Sequence, residues 1–234
     1  MKAIYLKELR QYATSFAGAV FLAAYAVLIG YQFTVGNLLA QSGEISNLFF
    51  QIMSMLMFLV PILTMRLLSE EKKMRTDQLL LTSPVSIGRI VIGKFMAAFT
   101  MFICGSVPLV LAAGLMWFYG VAPSLETAGN FAGLLMTGAA FISIGLLASA
   151  ITENQIVAAI VSYVVLMGLW LLDYLRMYVS GDTAGRMLRY LSVRAHFTQL
   201  ASGVFSLSTL IYFLSLTGLM LGFTVLVMSH ARKR

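Results

Sequence analysis

Apolar residues fill this chain in long unbroken runs, and charge falls only between them. Six stretches contain no Asp, Glu, Lys or Arg: Gln11–Gly43, Ile45–Met65, Phe95–Leu125, Thr127–Thr152, Asn154–Leu172 and Ala195–Ala231. A helix crossing a hydrocarbon core of roughly 30 Å needs about 20 residues, and each stretch is about that long or longer. Barrel strands would alternate apolar and polar residues over about ten positions, and these runs do not alternate. The pattern predicts an all-α integral membrane protein, a single transmembrane domain over residues 1–234. Its spans are expected near 16–35, 48–65, 91–119, 129–150, 155–172 and 207–228.

Composition agrees. Of 234 residues, 60% are hydrophobic and 11% charged, with a mean hydropathy of +0.90. Soluble domains carry about 25% charged residues, and a soluble fold of this length has too much surface to hide so apolar a chain. The net charge of +7 could suggest nucleic acid in a soluble protein. Here the basic residues sit at the ends of apolar runs, as membrane proteins place them, so no nucleic-acid partner is expected. Lys2, Lys7 and Arg10, the six basic residues from Arg66 to Lys94, and Arg232, Lys233 and Arg234 fall on one side of a six-span layout. The other side receives only Arg176, Arg186, Arg189 and Arg194, in one connection. The excess of Lys and Arg predicts that both termini are cytoplasmic, in a multi-pass protein of the cell membrane. The N-terminal apolar run is too long for a signal peptide and reads as a retained segment.

The connections carry further structure. Residues 1–15 read as an interfacial helix, with Ile4, Leu6, Leu9 and Tyr12 near helical spacing between Lys2, Lys7, Glu8 and Arg10. Pro61 is expected to kink the second span near its cytoplasmic end, the third span contains Pro108, and Trp117 and Tyr119 suit an interface belt. The fourth span holds Gly129, Gly133, Gly138, Gly145 and Ser149 among other small residues, which let backbones approach closely in lipid. It is expected at the centre of the bundle. Thr152, Glu153 and Asn154 form a very short turn into the fifth span. The connection 173–206 interleaves Met187, Leu188, Leu191, Phe197 and Leu200 with Arg186, Arg189 and Arg194. One or two amphipathic helices in the outer interface are expected there.

Much chemistry is missing. The chain has no GxxxxGK[ST], HExxH or GxSxG motif. Cys104 is the only cysteine, so no intrachain disulfide can form. His196 and His230 lie at opposite ends of the last charge-free run and are not expected to share a metal. No span carries a charge at its centre, which disfavours an ion-coupled carrier or an intramembrane enzyme. No catalytic, cofactor-binding or metal residues are assigned.

One block stands out: RLLSEEKKMRTDQLLLTSPVSIGRIVIGK, from Arg66 to Lys94. Glu70 to Asp77 carries enough charge to stay out of lipid, and Leu79, Leu80 and Leu81 supply an apolar knob. Ser83 before Pro84 is biased away from helix, so a short helix should end near Thr82. Ser86 can cap the next one. A short element fixed between two spans can carry rigid-body motion from a partner into the membrane. A plain solvated loop is the alternative on pattern alone.

The block resembles the type-2 ABC exporter permeases, closest to the branch associated with gliding-motility and related auxiliary transport systems. Glu70-Glu71-Lys72, Thr76, Leu80-Leu81-Thr82, Pro84-Val85-Ser86 and Gly93-Lys94 match that branch's pattern. Arg75 stands where a glycine is usual, and Gln78 where an acidic residue is usual. The resemblance extends over the N-terminal helix, the six-span layout and the region from Tyr190-Leu191-Ser192 to Tyr212. It implies a permease subunit driven by a separate cytoplasmic ABC ATPase, which would bind ATP and magnesium, so this chain is not itself expected to be an enzyme. It also implies a second permease half, as a homodimer or a paralogous heterodimer; an auxiliary membrane subunit is a further candidate partner. Within coupling segment 66–90, Glu70, Glu71, Arg75, Thr76, Leu79, Leu80, Leu81 and Pro84 would form or shape the ATPase contact. Lys7, Glu8 and Arg10 would support it. The competing class is a membrane scaffold with no transport pathway.

Overall fold

The computed structural model describes residues 2–75, 85–121, 124–175 and 182–232. These residues are helical nearly throughout, with no strand among them. The helices are α1 (Lys2–Thr14), α2 (Phe16–Phe33, running on as a π-helical turn over Thr34–Leu39), α3 (Ile45–Thr64), α4 (Arg66–Lys73) and α5 (Ile87–Gly105). They continue as α6 (Val107–Phe118), α7 (Leu125–Ile151), α8 (Gln155–Leu175), α9 (Asp182–Leu191), α10 (Val193–Ala201) and α11 (Leu207–Arg232). Six segments are long and apolar enough to cross a membrane: Phe16–Leu39, Ile45–Lys73, Ile87–Phe118, Leu125–Ile151, Gln155–Leu175 and Leu207–His230.

The helix α7 is the axle. Within its most apolar stretch 72% is buried inside the molecule, against 11% for α11 and 22% for α8. It packs on α3, α4, α5, α8, α10 and α11. Missing Cβ atoms make this possible. A Cβ on Gly145 would lie 2.1 Å from Thr64 Oγ1, one on Gly138 would lie 2.4 Å from the Phe102 ring, and one on Gly129 would lie 1.9 Å from the Leu200 carbonyl. Without a strong hydrophobic force between helices in lipid, such close packing holds the bundle together.

The third span is interrupted at Ser106, between α5 and α6. Pro108 sits in the first turn of α6, and the Ser106 hydroxyl donates to the Phe102 carbonyl at 2.9 Å. Trp117, Phe118 and Tyr119 are exposed at its end, as an aromatic belt requires. Ser86 occupies the N-cap of α5, but its side chain makes no cap bond. Its carbonyl alone receives the Arg89 and Ile90 amides.

The connection after α8 carries two short helices. The described part of α9 is amphipathic, with Met187, Tyr190 and Leu191 exposed, and one face of α10 packs against the bundle. Val193, Ala195, Phe197 and Leu200 are buried, because α10 packs into the groove left by Gly129 and Gly133 on α7. Ser192 caps it through Ala195 N–H at 3.2 Å. The Arg194 guanidinium lies 4.1 Å from the Tyr174 ring centroid and 4.9 Å from that of Phe50, clamping α10 to α8 and α3. Tyr212 donates to the Leu191 carbonyl at 2.8 Å and stacks on His196 at 4.0 Å. His196 is only 6% exposed, between Thr209 and the Tyr190 carbonyl.

Two stability outcomes follow from this packing. Gly145→Ala should destabilise the protein by about 1–3 kcal/mol through overpacking against Thr64. Gly168→Ala, where a Cβ meets open space, should shift stability by no more than about 1 kcal/mol, in the favourable direction. Thermal unfolding in detergent checks both. Burial holds the His196 pKa below its ordinary 6.5, with Arg189 adding to the effect and the Tyr190 carbonyl opposing it. The unfolded chain therefore binds the proton more readily. Stability should be full above about pH 6.5 and fall as pH drops below it, and His196→Gln should flatten that dependence.

Candidate functional site: a buried ionic knot at the α1 end

The α1 end of the bundle carries a charge cluster built from three elements. Lys94 lies on α5 and is 1% exposed. Its ammonium has three donors and three acceptors: Glu8 Oε1 of α1 at 2.8 Å, Glu71 Oε1 of α4 at 2.9 Å, and the Leu67 carbonyl at 2.7 Å. Lys7, mostly exposed, stands 3.5 Å from Glu71 and balances the second carboxylate. A buried ammonium without such partners would be strongly disfavoured.

The sequence folds this way for local reasons. The helix α1 presents Tyr5, Glu8 and Tyr12, three and four residues apart, to the bundle. Tyr5 hydroxyl meets Thr100 Oγ1 of α5 at 3.1 Å, and Tyr12 donates to the Leu63 carbonyl of α3 at 2.7 Å. Burial pushes the Tyr12 pKa far up, so its hydroxyl stays protonated and donates. The residues of α1 buried against the bundle are Glu8 and Tyr12, the second of them one of the set read from spacing. Ile4 and Leu9 pack only partly, and Leu6 is 49% exposed. The turn into α2 is tight: Ser15 caps α2, and a Cβ on Gly18 would lie 2.1 Å from the Tyr12 carbonyl oxygen.

On α4, Arg66 holds Glu70 with two bonds of 2.8 and 2.9 Å, an i,i+4 clamp. Lys72 donates to the Ala150 carbonyl near the C-terminus of α7, where a cation is favoured. Thus α4 is tied to α1, α5 and α7 together. Arg75, past its end, has φ +55°. That is the left-handed conformation glycine adopts without strain, which gives a physical reason for a glycine at this place in the branch the block resembles.

Of the residues singled out from sequence, Glu8, Lys7, Glu70 and Glu71 come together here. Arg75 lies beyond the end of α4. Arg10 is exposed and makes no ion pair among the described residues. Thr76, Leu79, Leu80, Leu81 and Pro84 lie outside the described residues. Sequence reasoning missed Lys94 as the hub, along with Tyr12 and Ser149. A lone cation inside an apolar helix was the available signal for Lys94. No group of three or more His, Cys, Asp or Glu among the described residues could hold a metal. At the opposite end, a cavity of about 660 Å³ opens among the starts of α3 and α7 and the end of α10, lined by Glu44, Ser46, Phe50, Glu126, Thr198 and Ser202.

Removing one partner of a buried ion pair typically destabilises by about 3–5 kcal/mol. Lys94→Met should fall in that range by thermal or denaturant unfolding in micelles. Adding Glu8→Gln and Glu71→Gln should recover part of the loss. A Lys94→Met protein as stable as the parent would contradict the knot.

A search of curated proteins finds no match to this chain. A family model described as ABC-2 family transporter protein matches residues 2–232. A match over nearly the whole chain, on a bundle with six helices long and apolar enough to span, shows that the chain belongs to the ABC-2 transporter family, whose members are membrane permease components of ABC transporters.

Proposed function

We propose that the chain is one membrane half of an ATP-driven exporter, with the α1 end in the cytoplasm. The observation that carries this reading is the Lys94 knot, which makes α1, α4 and α5 one body at a single end of the bundle. Twelve of the sixteen basic residues fall on that side, the side that positive charge marks as cytoplasmic. Both termini are cytoplasmic on this reading, and the membrane is the cell's inner membrane.

A separate ABC ATPase docks against α1 and the coupling segment around Glu70, Glu71, Arg75 and Leu79–Leu81. ATP and magnesium are bound by that partner. When the ATPase dimer closes, force enters α4. The ion pairs to Glu8 and Glu71 pass it to α1 and α5 without slack, because separating buried opposite charges is strongly unfavourable. Lys72 passes it to the end of α7. Two permease halves then rock against each other and open a path outward. The resemblance of the charged block supports placing the chain in the gliding-motility and auxiliary-transport branch.

Co-purification with a candidate ABC ATPase from the same organism, followed by reconstitution in liposomes, tests this. Leu80→Asp should cut ATPase association or ATP-driven transport at least about tenfold, since a charge replaces an apolar contact. Unchanged association and transport would overturn the docking claim. ATPase activity indifferent to any substrate would favour a scaffold.

A further inference from the structure

The joint between α3 and α4 is filled by two serine side chains: Ser149 of α7, and Ser69 of α4 itself, whose hydroxyl also donates to the Met65 carbonyl. At Met65 the backbone keeps helical dihedrals, φ −54° and ψ −30°. A continuous helix would direct the Leu68 and Ser69 amides at the carbonyls of Thr64 and Met65. Here both amides donate to Ser149 Oγ of α7, each at 3.0 Å, and the Ser149 hydroxyl donates to the Met65 carbonyl at 3.1 Å. One donor and two acceptor positions are all a serine hydroxyl has, and all three are used. The Leu63 carbonyl is taken by Tyr12 and the Leu67 carbonyl by Lys94.

Ser149 reaches this joint because of its neighbour one turn back. Gly145 has no Cβ to collide with Thr64 Oγ1, so α7 lies close against the end of α3. Ser149, Thr64 and Ser69 are all fully buried, so water does not compete for these bonds. A side chain inserted into the helical ladder is a recognised cause of bending. Pro61 lies inside α3, which runs on beyond it to Thr64, and the Met65 amide donates to the Pro61 carbonyl at 2.8 Å. The boundary between α3 and α4 falls at Met65, beside Ser149.

We propose that Ser149 is a positioning residue for the cytoplasmic arm: its hydroxyl, wedged into the α3–α4 joint, sets the tilt of α4 from the central span. This builds on the reading of α4 as part of the coupling element, but the tilt can be measured on the permease alone. Without the hydroxyl, the Leu68 and Ser69 amides return to their own helix and α4 swings toward the α3 axis.

The test is a pulsed electron–electron distance between spin labels at Lys73→Cys and Val164→Cys in lipid nanodiscs, with the single native cysteine removed as Cys104→Ser. Eight residues make α4 about 12 Å long, so a tilt of about 15° moves its tip by roughly 3 Å. Ser149→Ala should shift or clearly broaden the distance distribution by that amount. Ser162→Ala removes a buried hydroxyl that, among the described residues, bonds only to the Ala158 carbonyl within its own helix, and should leave the distance unchanged. An unchanged distribution in Ser149→Ala, even with a lowered unfolding temperature, would overturn the proposal, as would an equal shift in Ser162→Ala. A shift in Ser149→Ala beside an ATPase that never docks would uphold the role of Ser149 and sink the coupling reading.

Discussion

A lysine ammonium that is 1% exposed inside an apolar bundle must be paired, and that requirement organises one whole end of this protein. Three acceptors are needed, and no single helix could supply them. Glu8 comes from α1, Glu71 and the Leu67 carbonyl from α4, and Lys94 itself from α5. For Glu8 to arrive, α1 must fold back sharply on α2, and Gly18 permits that by lying where a Cβ would strike the Tyr12 carbonyl. For Glu71 to arrive, the second span must continue past Met65 as α4. Arg66 and Glu70 then stiffen α4 across one turn.

The other organising element is α7, whose close approaches rest on the absence of side chains. Gly145 admits Thr64, Gly138 admits Phe102, and Gly129 and Gly133 admit α10. The same helix reaches the ionic end twice, through Ser149 at the α3–α4 joint and through the Ala150 carbonyl that receives Lys72. Packing at the centre and polar bonding at the end are thus parts of one helix. A permease that receives force at one end and moves its spans gains from that arrangement, because the element gripped by charge is also held by the axle.

Much of this was legible in the sequence. The six charge-free runs, the amphipathic start, the small-residue fourth span and the short turn at Glu153 follow from local composition, and the described residues hold six helices long and apolar enough to span. What was not legible depends on contacts far apart in the chain. Glu8 and Lys94 are 86 positions apart, and nothing in the spacing around either one names the other. Hydrophobic periodicity predicted an amphipathic helix at α1, but it did not show that Glu8 would be buried against the bundle beside Tyr12. Apolar residues between the arginines predicted one or two short amphipathic helices in the connection after α8, but not that glycines on α7 would admit the apolar face of α10. The apolar tip from Leu79 to Leu81 remains a reading of the sequence alone.

The central claim is that α1 and α4 move as one body. Spin labels at Arg10→Cys and Lys73→Cys, both exposed positions on those helices, report it directly in the permease reconstituted with the ABC ATPase proposed to drive it, in a Cys104→Ser background. The account predicts the same α1–α4 distance in the nucleotide-free and ATP-trapped states. A distance that changes between the two states, with transport intact, would contradict it.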